Sequence, residues 1–522
     1  MPRYFNTTGP CDPELHYMLP PEERLVGAQL ERYIESRLYW VLHAPRQTGK
    51  TTFLQSWMRR INSGDEAIAC YVSLEGCQGV SEAERAIPAI CDAIRSYAEA
   101  FLDASLVPPS PDPAVVPLMM LDRIMKDWAR LAAPKPLVVL FDEVDILQDQ
   151  ALVSFLRQLR GGFATRGIGK FPVSVALVGM RDPRDYLVSS KDGVPVNPGS
   201  PFNIKEDSAS LSSFSKADIA SLASQHSTET GQAFEDSALD RIWELTRGQP
   251  WLTNSLLQKC VWQLCSKGET VTIAHIEEAK ELLIQARAVH LDSLAERLRD
   301  PRIKRIVETI MVGESDPTLT QGDDFVLACD LGLVAKEGGS PVISNPIYRE
   351  VIARVLSQGM QDAIPAPEFR WQRPDGGLDM ETLLREFQDF WAQHADIWEE
   401  KSDYAEAFPH LLLMAFLQRV VNGGGRIDRE YAAGRGRVDL AVLFGGHWSI
   451  IEVKLVNRRG RSRTVEEGLK QVIRYRDSID RTADAWLVVF DRSPAGRALP
   501  WAERLSWDSV ACEGRTVTVV GG

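Results

Sequence analysis

The chain has 522 residues, a net charge of −13, and 44% hydrophobic against 25% charged residues. That length exceeds what one core usually holds and predicts two to four domains, and the acidic balance excludes a generic polyanion binder, so any nucleic-acid contact must be a local basic patch. The eight cysteines form no C-x-x-C pair, the N-terminus has no apolar signal core and no run of 18 apolar residues occurs, which together predict a cytoplasmic protein with reduced thiols and no membrane partner.

Residues 1–25 are rich in Pro, Gly and acids and read as irregular. Within them Tyr17-Met18-Leu19-Pro20 either covers a nucleotide base or packs on the core. Leu25 to Arg37 reads as a helix. Leu38 to Leu42 is an apolar run that reads as a buried strand, and Phe53 to Arg60 reads as a helix. Between them lies His43-Ala44-Pro45-Arg46-Gln47-Thr48-Gly49-Lys50-Thr51-Thr52. Strand, loop and helix in that order is the context of a phosphate-binding P-loop. Backbone N–H groups from Arg46 to Thr52 would cradle the phosphates of ATP at a helix N-terminus. Lys50 would reach the β- and γ-phosphates, and the Thr51 hydroxyl would ligate Mg²⁺. Ala44 stands where such loops usually begin with glycine.

Ala67 to Leu74 reads as a second strand, and Ala86–Leu102 and Val116–Leu131 as helices. Pro136 to Glu143 is an apolar strand ending in two acids, the Walker B pattern. Asp142 would hold Mg²⁺, and Glu143 would polarise the attacking water. A third strand runs from Val173 to Gly179. Beyond it Arg181 is a candidate γ-phosphate sensor, with an ordinary ion pair to Asp182 or Asp185 as the competing reading. Residues 188–203 read as a flexible loop. Ser215 is the expected N-cap of a helix with Asp218 behind it. Residues 216–265 read as a helical lid containing Gly248-Gln249-Pro250.

The segments A-P-R-Q-T-G-K-T, L-V-V-L-F-D-E, L-V-G-M-R-D and T-R-G-Q-P-W-L, in this order, resemble the STAND branch of AAA-type ATPases. The likeness is to the prokaryotic AAA-like and archaeal ATPase families. It implies that Pro250 touches the bound nucleotide. Residues 270–358 read as helices plus a hairpin, Leu333–Ala335 and Pro341–Ile343 around Lys336–Ser340, which makes a winged helix. Its wing carries one Lys and one Glu, so interdomain packing is favoured over DNA binding.

Residues 359–377 read as a linker. Past it, Met380 to His394 is an amphipathic helix, and a second helix runs through Glu406 to Val420. Arg437 to Phe444 and His447 to Lys454 read as two strands joined by a Gly445-Gly446 type I′ turn. That register sets Phe444 against His447 and Asp439 against Glu452, with Lys454 on the same face. Two opposed carboxylates call for a hard divalent cation, Mg²⁺ or Mn²⁺. This D-x(n)-E-x-K arrangement resembles the PD-(D/E)XK nuclease superfamily. Gln471 and Tyr475 form a Q-x-x-x-Y that resembles its RecB-like branch, one turn apart on one helix. The resemblance also implies that Glu406 is a further metal ligand.

From Arg426 to Arg476 there are 12 basic and 6 acidic residues, and Arg458, Arg459, Arg461 and Arg463 read as a mobile basic loop suited to a phosphate backbone. The expected architecture is α/β throughout. A P-loop ATPase core (1–204), a helical lid (205–269), a winged helix (270–358) and a linker (359–377) precede a restriction-endonuclease-like domain (378–522). The expected function is an ATP-regulated, Mg²⁺-dependent nuclease, with DNA as first-choice substrate and defence against foreign DNA as the role the resemblance implies. A homo-oligomer and an activating partner or phage-derived trigger accompany that reading. The competing reading is a switch whose C-terminal domain only binds nucleic acid or a partner, and a DNA-processing motor ranks third.

Overall fold

Six apolar segments build the sheet that carries the P-loop. They are β1 (Leu25–Val26), β2 (Tyr39–His43), β3 (Ile68–Ser73), β4 (Leu137–Asp142), β5 (Ser174–Gly179) and β6 (Lys205–Leu211). The order across the sheet is β1-β6-β2-β5-β4-β3. Only β1 runs antiparallel to its neighbour; every other pairing is parallel. Every residue of β3, β4 and β5 is buried, as parallel strands covered on both faces must be. Successive side chains point to opposite faces. Tyr39, Val41, Val139 and Phe141 therefore enter one core with the helices Ala83–Phe101, Pro117–Ala132 and Asp149–Phe163. Trp40, Leu42, Val138 and Leu140 enter the other with Leu30–Glu35 and Lys50–Ser63.

The computed structural model describes residues 2–26, 29–180, 188–189, 195–196, 205–285, 296–312, 319–363, 371–401, 412–414, 416–417, 425–433, 436–456, 460–491 and 493–522. The chain divides into two compact units. The first comprises Met1–Ala288 and Thr318–Asn345, the second Val289–Pro317 and Pro346–Gly522. The first is the mixed α/β P-loop fold expected. Among the described residues no helix is long and apolar enough to cross a membrane.

One expected element of the first unit is corrected. Leu25 does not begin a helix; Leu25 and Val26 pair with Leu211 and Ser210 as an edge strand. Pro21 opens a short 3₁₀ turn just before it, and the helix starts only at Leu30. The helices after β6 are Lys216–Thr230, Asp236–Thr246 and Pro250–Lys259, within the stretch read as a lid, and Ile273–Gln285, which opens the stretch read as a winged helix. The first carries the expected cap: Ser215 and Asp218 satisfy each other's backbone N–H groups in a capping box. Of the two readings for Tyr17–Pro20, packing prevails. Tyr17 is fully buried, its hydroxyl 3.2 Å from His226 Nδ1, and Met18 exchanges two hydrogen bonds with the Gln225 amide.

Helix Asp323–Asp330 and the hairpin of β7 (Val334–Glu337) and β8 (Ser340–Ile343) fall in the first unit. Helices Pro301–Val312 and Pro346–Ala363 fall in the second, so the division runs through the stretch read as a winged helix. The loop expected at 188–203 lies outside the described residues, apart from the short pairing of Val188–Ser189 with Pro195–Val196.

The second unit is built on a mixed sheet. Its strands are β9 (Gly425–Ala433), β10 (Gly436–Phe444), β11 (His447–Val456), β12 (Asp484–Asp491), β13 (Trp507–Cys512) and β14 (Arg515–Gly521), in the order β9-β10-β11-β12-β14-β13. Leu440, Val442, Ile451 and Val453 face one core with helix Met380–Lys401. Ala441, Ile450, Leu487 and Val489 face the other, covered by helix Arg461–Ile479 through Leu469, Val472, Ile473 and Tyr475. The second helix expected from Glu406 lies mostly outside the described residues; Leu412–Met414 and Phe416–Leu417 are helical.

Candidate functional sites

The P-loop leaves β2 and closes on helix Lys50–Ser63. Gln47 and Gly49 both take positive φ, 58° and 92°, which coils the backbone so that successive N–H groups face one concavity. Thr48 Oγ1 donates to Pro45 O at 2.8 Å and braces the loop from within. Ala44 is buried and its N–H donates to Gly179 O at 3.2 Å, tying the loop's first residue to the end of β5. Lys50 Nζ donates to Ala44 O at 2.8 Å and Pro45 O at 3.0 Å. Burial pulls the Lys50 ammonium below its ordinary pKa, while Asp142, Asp145 and Glu143 oppose that shift.

Asp142 ends β4 directly beside this loop and is 1% exposed. Thr51 Oγ1 donates to its Oδ2 at 2.7 Å, Tyr71 OH donates to the same oxygen at 3.2 Å, and the Glu143 N–H donates to Oδ1 at 3.0 Å. Burial raises the Asp142 carboxyl in spite of these donors. Glu143 follows with φ +58°, a left-handed backbone that a non-glycine residue holds only under constraint. Its carboxyl is pushed up to about 7 by burial, and then by the charges of Asp142, Glu75 and Asp145. The structure thus gathers Lys50, Thr51, Asp142 and Glu143 at the carboxyl ends of the parallel strands β2 and β4, which flank β5, where open α/β sheets place their sites.

The lid reaches the loop through a residue the sequence reading passed over. Gln249 Nε2 donates to Gln47 O at 3.4 Å while its Oε1 caps the next helix by accepting from Leu252 N at 2.6 Å. Pro250 itself is buried at the first position of that helix. Gly248 is required where it stands. Its φ is +74°, a Cβ there would overlap the Phe214 carbonyl oxygen, and the Phe214 N–H donates to Gly248 O at 2.8 Å. The turn that leads into β7 also borders the loop: a Cβ on Gly332 would come within 2.7 Å of Pro45 Cβ. Arg181 lies outside the described residues.

In the second unit the Gly445-Gly446 turn has φ of +56° and +82°, as a type I′ turn demands. Pairing runs from Phe444–His447 to Leu440–Ile451, and its continuation sets Asp439 opposite Glu452. Asp439 Oδ2 accepts the Val453 N–H at 2.9 Å. Glu452 is 2% exposed, and its Oε1 accepts from Lys454 Nζ at 2.6 Å. Burial and the Asp439 charge hold the Glu452 carboxyl well above the usual carboxylate range. Burial pulls Lys454 down, but the charges of Glu452 and Asp439 outweigh it and leave the ammonium above its ordinary value.

Asp439, Glu452 and Lys454 share strand parity with Ala441 and Ile450, so they lie on the face covered by helix Arg461–Ile479. That helix turns Gly468, Gln471 and Tyr475 toward the strands. A Cβ on Gly468 would sit 2.6 Å from Leu487 Cδ1 and 3.3 Å from Lys454 Cγ, so only glycine lets the helix lie this close. Tyr475 is buried near enough to Lys454 to influence its charge. Two buried oxygens, Glu452 Oε2 and Gln471 Oε1, have no hydrogen-bond partner among the described residues.

The basic segment is corrected in part. Arg461 and Arg463 are not in a loop but in the first turn of that helix, which Gly460 opens with φ +82°. Arg461 Nη2 donates to Ser506 Oγ at 2.8 Å, a structural anchor, whereas Arg463 is 73% exposed and, among the described residues, pairs with Glu467. Arg458, Arg459 and Glu406 lie outside the described residues. Among the described residues no three His, Cys, Asp or Glu side chains converge as a metal-binding group. The pair Asp439 and Glu452 with the unpartnered Oε2 nonetheless suits an oxygen-seeking divalent cation whose remaining ligands are waters or phosphate oxygens.

No protein-family model and no curated protein matches the chain. Among solved structures, the Walker-type ATPase of Pyrococcus abyssi is similar over 67% of this chain and 99% of its own, at 14% identity and a TM-score of 0.47. The RuvB Holliday junction branch migration motor of Thermotoga maritima is similar over 62% and 92%, at 16% identity and a TM-score of 0.33. Cdc6p of Pyrobaculum aerophilum is similar over 63% and 91%, at 14% identity and a TM-score of 0.35.

Proposed function

We propose that the chain is an ATP-regulated nuclease that uses a divalent metal to cleave nucleic acid, with DNA as its substrate. One observation carries the nuclease reading: two opposed carboxylates, the half-buried Asp439 and the buried Glu452, meet the Lys454 ammonium on the face shared with Gln471 and Tyr475. Opposed carboxylates repel, and burial makes that repulsion worse. A fold that keeps both, with Glu452 Oε2 unpartnered among the described residues, is organised to receive a cation.

Asp439 and Glu452 would hold Mg²⁺ or Mn²⁺, and Thr51 and Asp142 would hold the Mg²⁺ of ATP. When bound, such an ion offsets phosphate charge and makes a coordinated water more acidic. The chain's own groups do the rest. Lys454 offsets charge on the scissile phosphate. Lys50 exchanges its bonds to the Ala44 and Pro45 carbonyls for the β- and γ-phosphates. Glu143, with its carboxyl near neutrality, is matched to taking a proton from water at pH 7. Arg463 supports the nucleic-acid backbone from the helix terminus beside the site.

The STAND resemblance supplies the order of control: the nucleotide state of the first unit licenses cleavage in the second, in response to an activating partner or a trigger from foreign DNA. The test is a plasmid incubated with Mg²⁺, with and without ATP. Wild type cuts, Asp439→Asn does not cut yet still hydrolyses ATP, and Lys50→Ala loses its response to ATP. If wild type and Asp439→Asn retain plasmid equally and neither cuts it in the presence of ATP, the second unit is a binding module. If Lys50→Ala cuts as wild type does in both conditions, nucleotide control is wrong.

A further inference from the structure

A second cation stands at the P-loop, 26 residues upstream of Lys50 and with no sequence motif to mark it. Arg24 ends the 3₁₀ turn before β1 and is 8% exposed. Its guanidinium is held on two sides. Nε and Nη2 both donate to Ser212 O, at 3.0 Å and 2.6 Å, and the group lies over the Phe214 ring at 4.7 Å. The third side faces the loop: Nη1 lies 3.2 Å from where a Cβ on Gly49 would project. Among the described residues Nη1 has no hydrogen-bond partner, and Arg24 has no ion pair. Burial lowers its pKa to about 10, with the Asp218 carboxylate the main opposing influence.

A desolvated cation without a paired anion is costly, and proteins retain one where an anion completes it. The anion that belongs beside Gly49 is a phosphate. Its position along the nucleotide follows from the neighbours. Lys50, Asp142 and Glu143 gather at the end of β4. Arg24 instead sits with Gly49 and close to Cys11, whose N–H donates to Thr52 Oγ1 at 3.0 Å. That is the first turn of the P-loop helix, away from the Walker B acids.

We infer that Arg24 binds the α-phosphate of the nucleotide, and that it reports occupancy to the lid through Ser212 and Phe214. This rests on the nucleotide-binding reading of the P-loop. The relay is short: Ser212 and Phe214 lead out of β6, and the Phe214 N–H is bonded to Gly248 O in the lid. An α-phosphate contact is common to ATP and ADP, so Arg24 serves affinity for both and does not discriminate the γ-phosphate.

The experiment measures ATP and ADP affinity, together with the melting temperature without nucleotide, for wild type, Arg24→Gln and Arg24→Lys. Arg24→Gln is expected to weaken ATP and ADP equally, by about tenfold or more, and to leave the nucleotide-free melting temperature unchanged or raised, because an unpaired buried charge is gone. Arg24→Lys retains charge without the fork and falls between wild type and Arg24→Gln. Loss confined to ATP overturns the assignment to the α-phosphate. Unchanged affinities overturn the contact altogether. If Arg24→Gln also melts early, Arg24→Lys decides: a wild-type melting temperature with weakened binding of both nucleotides supports the inference, and any other combination marks Arg24 as a structural anchor. Should wild type bind neither nucleotide, the P-loop reading itself fails, a result distinct from all of these.

Discussion

Asp142 and Glu143 are adjacent in sequence and opposite in circumstance. Asp142 is enclosed and accepts three donors, from Thr51, Tyr71 and the Glu143 backbone, which fixes its orientation. Glu143 is turned out of the strand by a left-handed backbone, and its carboxyl is raised to about 7. One acid is held in place, and the other has a carboxyl suited to the proton exchange proposed for it. Glu143→Gln is therefore expected to keep ATP affinity within a few-fold of wild type while turnover falls by about 10²- to 10³-fold. Equilibrium binding and phosphate release on the same preparation measure the two effects separately. A parallel loss of both would place Glu143 in binding.

The helices that follow β6 show how elements hold the first unit together. Glu277 on helix Ile273–Gln285 accepts from Arg241 Nε at 2.5 Å and from Lys280 Nζ at 2.8 Å, and these side chains are at most 18% exposed. Burial alone would raise the Glu277 carboxyl, but Lys280 and Arg241 outweigh it and hold it at about 2. A depressed carboxylate contributes stability that is fully present above its ordinary pKa and is lost as pH falls toward the folded value. Glu277→Gln is expected to cost the first unit about 2–3 kcal/mol at pH 7, and the difference from wild type should vanish between about pH 4.5 and 2 in acid unfolding monitored by circular dichroism. Gly248→Ala should cost a comparable amount at any pH, since its strain is steric, and thermal melts of the variant at two pH values check that.

What could be read from the sequence at this scale follows from how local each signal is. The P-loop, the Walker B strand and the Ser215 cap are contiguous patterns. The β10–β11 register was legible because two glycines fix a two-residue turn. Strand β9 was missed: it mixes Arg426, Asp428, Arg429 and Glu430 with few apolar residues. Strands β13 and β14, beyond the last motif, were also passed over. Arg24 and Gln249 escaped because their partners, Ser212 and Gln47, lie 188 and 202 residues away. Gly468 looks like an ordinary helix interruption until Lys454 and Leu487 are seen beneath it.

Over the whole molecule, charge is distributed against its sum. The chain carries −13, yet the stretch from Arg426 to Arg476 holds a local excess of six positive charges, 12 basic against 6 acidic. If the proposed nucleic-acid contact runs through that stretch, binding releases counterions from a few phosphates. The logarithm of affinity for duplex DNA should fall with the logarithm of salt concentration at a slope of roughly −3 to −5. Arg463→Ala should flatten that slope by about one while affecting all sequences alike. Fluorescence anisotropy across a salt series gives both numbers, and a flat response would exclude phosphate contacts as the source of affinity.

The bond from the Val453 amide to Asp439 has a use of its own. The β10–β11 ladder is paired up to Leu440 and Ile451; at the next step a side chain, in place of a backbone carbonyl, takes the proton of Val453. A main-chain nucleus is thereby wired to the carboxylate proposed to hold metal. The ¹⁵N–¹H resonance of Val453 should shift on titration with Mg²⁺ in the wild type and stay still in Asp439→Asn, whose amide oxygen can still accept the proton. Asp439→Ala would leave that amide without its acceptor and open to rapid hydrogen exchange, confounding lost chemistry with a frayed hairpin. That amide would serve as an occupancy gauge for the proposed metal site, readable with neither nucleotide nor nucleic acid present.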